Sequence, residues 1–376
     1  MRNTMKNNRT FLEKLLDGAE VEWKPLMVLA EIGTGNSNRQ DEEENGKYPF
    51  YVRSKNILRS NSFQFDETAI IIPGEGGIGD IFHYVEGKYA LHQRAYRIHI
   101  ISDEVNTKFL YYIMHNSFKK YILSKSVGAT AISIRKPMLE KFEIPIPPLP
   151  VQTEIVKILD ALTALTSELT SELILRRKQY EYYREKLLSE EELGKVGFEW
   201  KSLSEVANIA NNARKPVKSS LRISGSTPYY GANNIQDYVE GYTHDGEFVL
   251  IAEDGSASLE NYSIQWAVGK FWANNHVHVV NGKEELNNRF LYHYLTNMNF
   301  VPFLAGKERA KLTKAKLQQI PIFVPPLEEQ HRIVSILDKF ETLTNSITEG
   351  LPLAIEQSQK QYEYYRELLL NFPGRE

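Results

Sequence analysis

Two stretches of the chain place apolar residues at alternating steps of four and three. In the first, Ile155, Leu159, Leu162, Thr166, Leu169, Leu173, Arg176, Tyr180, Tyr183 and Leu187 keep that rhythm. A 3.5-residue repeat gathers such side chains into a seam for another helix. The second stretch runs Ile333, Leu337, Phe340, Thr344, Ile347, Leu351, Ile355, Ser358, Tyr362, Tyr365 and Leu369, with two successive steps of four around Leu351. That stutter, with Gly350 and Pro352 on it, predicts a break or kink between Glu349 and Pro352, because proline removes a helix hydrogen bond. Pro-Pro pairs before each stretch set where both helices begin. The two seams are expected to pack antiparallel within one chain. The residues assigned to the contact are Leu159, Leu162, Leu169 and Tyr180 from one helix and Leu337, Phe340 and Tyr362 from the other.

Between the helices the pattern changes. Thr68–Pro73 and Glu247–Ala252 are short apolar, β-rich runs that lead into turn residues. Residues 107–124 and 288–304 read as helices. Each globular segment is therefore mixed α/β and of ordinary domain size. The order of segments is itself repeated. Gln152–Leu159 (QTEIVKIL) matches Gln330–Leu337 (QHRIVSIL), and KQYEYYRE occurs at both 178–185 and 360–367. Glu22-Trp23-Lys24 matches Glu199-Trp200-Lys201, and Phe109-Leu110-Tyr111-Tyr112 matches Phe290-Leu291-Tyr292-His293. A tandem duplication of this kind fixes the architecture more firmly than any local propensity. The fold class expected is α+β: two mixed α/β domains separated by two long antiparallel coiled-coil helices, with a pseudo-twofold tandem repeat. The boundaries are 1–150 and 191–327 for the domains, and 151–190 and 328–371 for the helices. Glu13-Lys14-Leu15-Leu16 also matches Glu185-Lys186-Leu187-Leu188. Residues 10–17 are therefore expected to form a short helix packed near the end of the second long helix, closing the repeat into a ring.

Composition narrows the function. The 376 residues are 42% hydrophobic and 25% charged, as in ordinary globular proteins. The absence of cysteine excludes disulfides, thiolate metal sites and a cysteine nucleophile, which suits a cytoplasmic location. No apolar run reaches membrane-spanning length, and the polar Met1–Thr10 lacks the apolar core of a signal peptide. The net charge of −3 means that any nucleic-acid contact has to come from local basic patches.

Catalytic motifs fail on context. Gly74, Gly76 and Gly79 fit a dinucleotide spacing, but the β-like Ile81–Val85 follows where a helix is required. Asp80 with Glu86-Gly87-Lys88 resembles a metal-dependent nuclease pattern, without a counterpart in the second half. His276 and His278 could share a metal as neighbours on one strand face, but a packed or solvent-facing pair is the far commoner outcome and is the reading adopted. There is no P-loop and no Asn-Pro-Pro-aromatic run. No catalytic, cofactor-binding or metal residue is therefore assigned. What remains is contact chemistry. Lys55, Arg94 and the run holding Thr130, Ser133, Arg135 and Lys136 are the DNA-contact candidates of the first domain. Asn233, Asn234, Lys307, Arg309 and Lys311 are those of the second. Arg and Asn carry forked groups that read purine edges, and Lys neutralises phosphate.

A Glu-Trp-Lys start, a variable segment ending in Ile-Pro-x-Pro-Pro-Leu-x-x-Gln, a heptad helix ending in Gln-Tyr-Glu-Tyr-Tyr-Arg-Glu, and then the whole order again resembles the specificity subunit of type I restriction-modification enzymes. The resemblance spans nearly the whole chain. It implies a non-catalytic subunit that reads a bipartite, asymmetric site on double-stranded DNA, one half per variable domain. It also implies that the two helices act as spacer and dock two modification (methyltransferase) subunits, which restriction subunits join. S-adenosylmethionine, ATP and Mg would lie on those partners. Geometry reaches part of this independently: a helix of roughly 37 residues is about 55 Å long, against about 34 Å for a turn of DNA. A protein-docking module and a nuclease centred on Asp80 and Glu86 are the rival classes.

Overall fold

The computed structural model describes residues 10–77, 79–125, 133–306 and 310–373. The chain forms two compact units, one from 1–168 with 355–376 and the other from 169–354. The division cuts through the long helices rather than falling at their ends. Six helices matter here: α1 (Phe11–Leu16), α2 (Thr107–Ile113), α3 (Leu149–Leu187), α4 (Asn288–Thr296), α5 (Leu327–Asn345) and α6 (Gly350–Leu370).

The first unit holds β1 (Glu22–Pro25), β2 (Ala30–Thr34), β3 (Tyr48–Tyr51), β4 (Leu58–Ser60), β5 (Phe65–Pro73), β6 (His83–Leu91), β7 (Ala95–Ile100) and β8 (Glu143–Ile146). β1 and β8 form a two-stranded ribbon, and the other six form one sheet in the order β2-β7-β5-β6-β3-β4. Its neighbours are antiparallel except β3 and β6, where Phe50 lies parallel to Ala90. β5 is apolar without alternation because it is covered on both sides. Ile70 and Ile72 join the main core, while Ala69 and Ile71 face a smaller cluster with Tyr51, Tyr89 and Leu91.

The second unit holds β9 (Glu199–Ser202), β10 (Ala207–Ile209), β11 (Ser224–Tyr230), β12 (Ile235–Val239), β13 (His244–Ala252), β14 (Ile264–Ala273), β15 (Val277–Gly282) and β16 (Pro321–Val324). β9 pairs with β16, and the large sheet runs β10-β15-β13-β14-β11-β12, strand for strand the order of the first. Val249 and Ile251 face the main core and Leu250 the smaller one. The fold is thus α+β with two mixed domains in tandem repeat.

The matched Pro-Pro-Leu-x-x-Gln segments explain how each helix is tied to its domain. Gln152 is fully buried. Its amide donates to the carbonyls of Glu104 and Pro147, both at 2.8 Å, and accepts from the Asn106 N–H at 2.9 Å. Asn106 in turn caps α2, accepting from Lys108 and Phe109 N–H. Gln330 repeats this with Glu285, Pro325 and Asn287 at 2.9, 2.8 and 2.8 Å. Asn287 caps α4 in the same way.

In the first unit, Thr166 of α3 lies 2.8 Å from Ser358 of α6, while Leu159 shares a core with Leu369 and partly buried Tyr362. In the second, Arg177 donates to the Thr344 carbonyl and Tyr180 stacks on Phe340 at 6.2 Å. In each unit, higher numbers on α3 meet lower numbers on its partner, so the packing is antiparallel. Seam burial is uneven. Leu159 and Leu337 are fully buried and Tyr180 nearly so, whereas Leu162, Leu169, Phe340 and Tyr362 are half-buried. Ile347 leaves the seam: it is 79% exposed. The helix break falls at 346–349, just upstream of the expected span. α6 restarts at Gly350, whose φ of +81° and close approach to the Thr342 carbonyl admit only glycine. Pro352 sits in the first turn of α6, where its missing N–H costs no bond. Helix 107–124 is likewise interrupted, by a wider turn over Met114–Phe118, and the helix expected over 288–304 ends at Thr296.

Residues 11–16 do form a helix, α1, closed by a Thr10–Glu13 capping box. Leu12 packs with Leu369, Leu370 and Phe372, and Phe11 meets Tyr365 edge-on.

Candidate nucleic-acid interface

At one end of each large sheet, three turns converge. In the first unit they follow β3, follow β5, and link β6 to β7. The Gly74 N–H donates to the Arg94 carbonyl and the Ile134 N–H to the Gly74 carbonyl. The His92 N–H donates to the Tyr51 carbonyl, and the Arg94 N–H to His92 Nδ1. Glu75 is bridged to Ser133. The second unit reproduces every one of these bonds. Glu253 N–H donates to His276, Leu312 N–H to Glu253, and Asn274 N–H to Tyr230. His276 N–H donates to Asn274 Oδ1, and Asp254 is bridged to Lys311. The backbone frame is therefore common to both, and the side chains on it differ.

In the first unit, Glu75 Oε2 accepts from Arg53 at 3.0 Å and from Arg94 at 3.2 Å. A cleft of about 350 Å³ opens beside it, lined by Arg39, Arg53, Ser54, Glu75 and His92 among others. Burial, with Arg53 and Arg94 nearby, pushes the His92 imidazole below its usual value. The mouth is thus cationic although the chain is acidic overall. In the second unit Asp254 pairs with His276. Beside it, Glu253 binds Arg214 at 2.7 Å and Lys311 at 2.9 Å. Burial alone would raise the Glu253 carboxyl, but these two hydrogen bonds, together with the electrostatic influence of His278 and Arg214, hold it low. A further cleft of about 470 Å³ brings Lys215, Lys218 and Arg222 together with Tyr229 and Trp272, the Arg222 guanidinium stacking 4.0 Å over Tyr229.

Of the sequence candidates, Arg94 and Ser133 lie at this end of the first unit, and Lys55 is exposed just past β3. Arg135 and Lys136 are exposed at the start of the next helix, with Lys136 paired to Glu140. In the second unit, Lys311, Asn233 and Asn234 occupy the corresponding turns. Asn233 is taken up by the turn after β13: it donates to the Gly255 carbonyl and accepts from the Ala257 N–H, both at 2.8 Å. Thr130, Lys307 and Arg309 lie outside the described residues. Sequence reasoning passed over Arg53, Glu75, Arg214 and Asp254. One signal was available: each central strand is followed, two residues on, by an acid and a glycine of positive φ, Glu75-Gly76 and Asp254-Gly255.

The rejected motifs resolve structurally. The Gly74–Gly79 turn leads into β6, not a helix, and Asp80 is paired with Lys119. His276 lies in the turn before β15, while His278 is buried, bonded to the Leu312 carbonyl at 2.7 Å and to Asn211 at 2.9 Å. One group of metal-ligand type occurs among the described residues, His293 with Asp338 and Glu341. Arg289 already binds both carboxylates, and Tyr112 with Asp160 and Lys108 occupies the same place in the first unit. The node joins α4 to α5 as its counterpart joins α2 to α3.

His278 makes one pH effect predictable. Its Nε2–H donates to the Leu312 carbonyl while its Nδ1 accepts from the Asn211 amide, whose oxygen is taken by the Val279 N–H, so the ring is neutral, and burial pushes its pKa down. An unfolded histidine takes up its proton near pH 6.5. The contribution of neutral His278 is then intact above that pH and lost as pH falls below it. The melting temperature of the second unit should drop between pH 7.5 and 5.5, and His278→Gln should flatten that slope. Equal slopes for both proteins would contradict this assignment.

Comparison with known proteins agrees with the geometry. The family model described as type I restriction modification DNA specificity domain matches residues 20–176 and 195–357. The chain is 74% identical over 193 residues to a putative type I restriction enzyme specificity subunit of Haemophilus influenzae, an alignment spanning 50% of this chain and 49% of that protein. It is 32% identical over 402 residues to the EcoR124I/EcoR124II specificity subunit of Escherichia coli, covering 98% of each. The fold matches the crystal structure of a type I restriction-modification S subunit from M. genitalium with a TM-score of 0.64, at 19% identity over 99% of this chain and 98% of that one. The chain belongs to the type I restriction-modification DNA specificity family, whose members recognise DNA sequence.

Proposed function

We propose that this chain is the non-catalytic reading subunit of a type I restriction-modification complex and that each domain reads one half of a bipartite, asymmetric site on double-stranded DNA. The observation that carries this is the repeated turn frame at one sheet end of each unit, with equivalent bonds and different side chains. A common frame places two reading surfaces alike; different side chains let them read different bases. The seam helices serve as docking elements for two modification subunits. In both copies of KQYEYYRE the first tyrosine is inward, while Tyr182 and Tyr364 are 57% and 62% exposed. One surface offered twice suits two copies of one partner. S-adenosylmethionine, ATP and Mg belong to the modification and restriction subunits in this reading. The complex works in the cytoplasm; among the described residues no helix is long and apolar enough to cross a membrane.

Exchange of residues 25–147 for those of a family member with a different target tests the reading. The chimera, co-expressed with its modification subunit, should methylate adenines in a site altered in one half and unchanged in the other. Alteration of both halves, or methylation without sequence preference, would refute it.

A further inference from the structure

We infer that Arg94 and His276 are equivalent base-reading side chains of the two domains, held in position by Glu75 and Asp254. The inference rests on the proposed reading function and adds to it the residues that set specificity.

The equivalence comes from the backbone. Each of the two residues closes a turn, between β6 and β7 or between β14 and β15, donates its N–H to the side chain two positions earlier (His92 or Asn274), and offers its carbonyl to the residue after the central strand. Each pairs with an acid standing one residue further along that segment. Nothing about stability demands this. The Arg94–Glu75 pair is 55% and 48% exposed, and the His276–Asp254 pair 49% and 36%. Ion pairs in such high-dielectric surroundings contribute little. What the acid does supply is orientation. A carboxylate that accepts from one guanidinium nitrogen, as Glu75 does from Arg94, limits where the side chain swings and leaves its other N–H groups free, and guanine presents O6 and N7 to such donors. Arg53 donates to the same Glu75 oxygen and helps to hold the acid in place. His276 gives Nδ1 to Asp254 and keeps a single nitrogen, Nε2, for contact. Two donors in one domain and one ring nitrogen in the other read different base edges, so the two half-sites differ.

The test is the methylated sequence produced by the assembled complex in cells. Arg94→Ala should relax one or two base positions in one half-site, with a loss of preference of about tenfold or more, and leave the other half intact. His276→Ala should do the converse. Glu75→Gln should relax the same positions as Arg94→Ala, more weakly. Arg94→Lys separates base reading from phosphate contact: lysine restores a point charge but not a fork, so it should fail to rescue. All variants should melt with the wild type, since these side chains are exposed. If wild type is specific while Arg94→Ala and His276→Ala keep both half-sites, the inference falls and the reading function stands. Uniformly weaker methylation rescued by lysine would likewise overturn it. If the wild-type complex shows no sequence preference, both fall.

Discussion

Gln152→Glu is expected to destabilise the first unit by about 3–5 kcal/mol at neutral pH, although it exchanges an amide nitrogen for an oxygen. The native amide donates to Glu104 and Pro147 carbonyls and accepts from Asn106, in a site with no exposure. An introduced carboxylate keeps the bond from Asn106. Its second oxygen then faces two carbonyl oxygens, and the charge has no cation to meet it. Protonation restores one donor, so the buried acid's pKa rises and the lost stability returns as pH falls. Urea denaturation at pH 7.5 and 5.5 measures this: the gap to wild type should be large at the first pH and smaller at the second. Gln152→Leu should be destabilised at both, because it strands the same three backbone groups without a charge. Gln330→Glu should behave like Gln152→Glu, in the second unit. A Gln152→Glu protein with wild-type stability at pH 7.5 would show that the amide does not fasten the helix.

The second large effect is graded along the seam. Leu337→Asp and Leu159→Asp should each cost more than about 4–5 kcal/mol and leave the affected unit unfolded. Both leucines are fully buried where the helix enters a domain core. Leu337→Ala, which only opens a cavity, should cost about 2–5 kcal/mol. Leu162→Asp and Phe340→Asp act on half-buried positions and should cost less. Circular dichroism melts of the four aspartate variants rank them; equal losses at Leu162 and Leu337 would mean that burial does not set the effect.

These seam positions show where pattern stops being informative. A heptad places Leu159, Leu162 and Leu169 on one stripe with equal weight, because periodicity records direction and not depth. Depth depends on what covers the stripe. At Leu159 and Leu337 a domain core does so; the half-buried Leu162 stands outside both main cores. The stutter was legible as a break, but its place was not. Gly350 restarts the helix at a backbone conformation only glycine tolerates, which moved the interruption to 346–349 and put Pro352 where it does no harm. The DNA-contact candidates were chosen by residue type in turn-rich segments. Type cannot tell that Asn233 is engaged by the separate turn after β13, nor that Glu75, an acid, stands between Arg53 and Arg94.

The sequence by itself determined the duplication, the order of segments, the helical seams with their antiparallel expectation, and the absence of a recognisable catalytic motif. Each of these rests on local spacing or on identity between the halves, which survive without coordinates. Tertiary structure decided which residues meet across the sheet. Arg94 lies 19 positions from Glu75, and His276 lies 22 from Asp254, spacings that match no shared motif. Only the pairing of β5 with β7 and of β13 with β15 brings them together, and sheet pairing is set by non-local hydrogen bonds that leave no periodic trace in either segment.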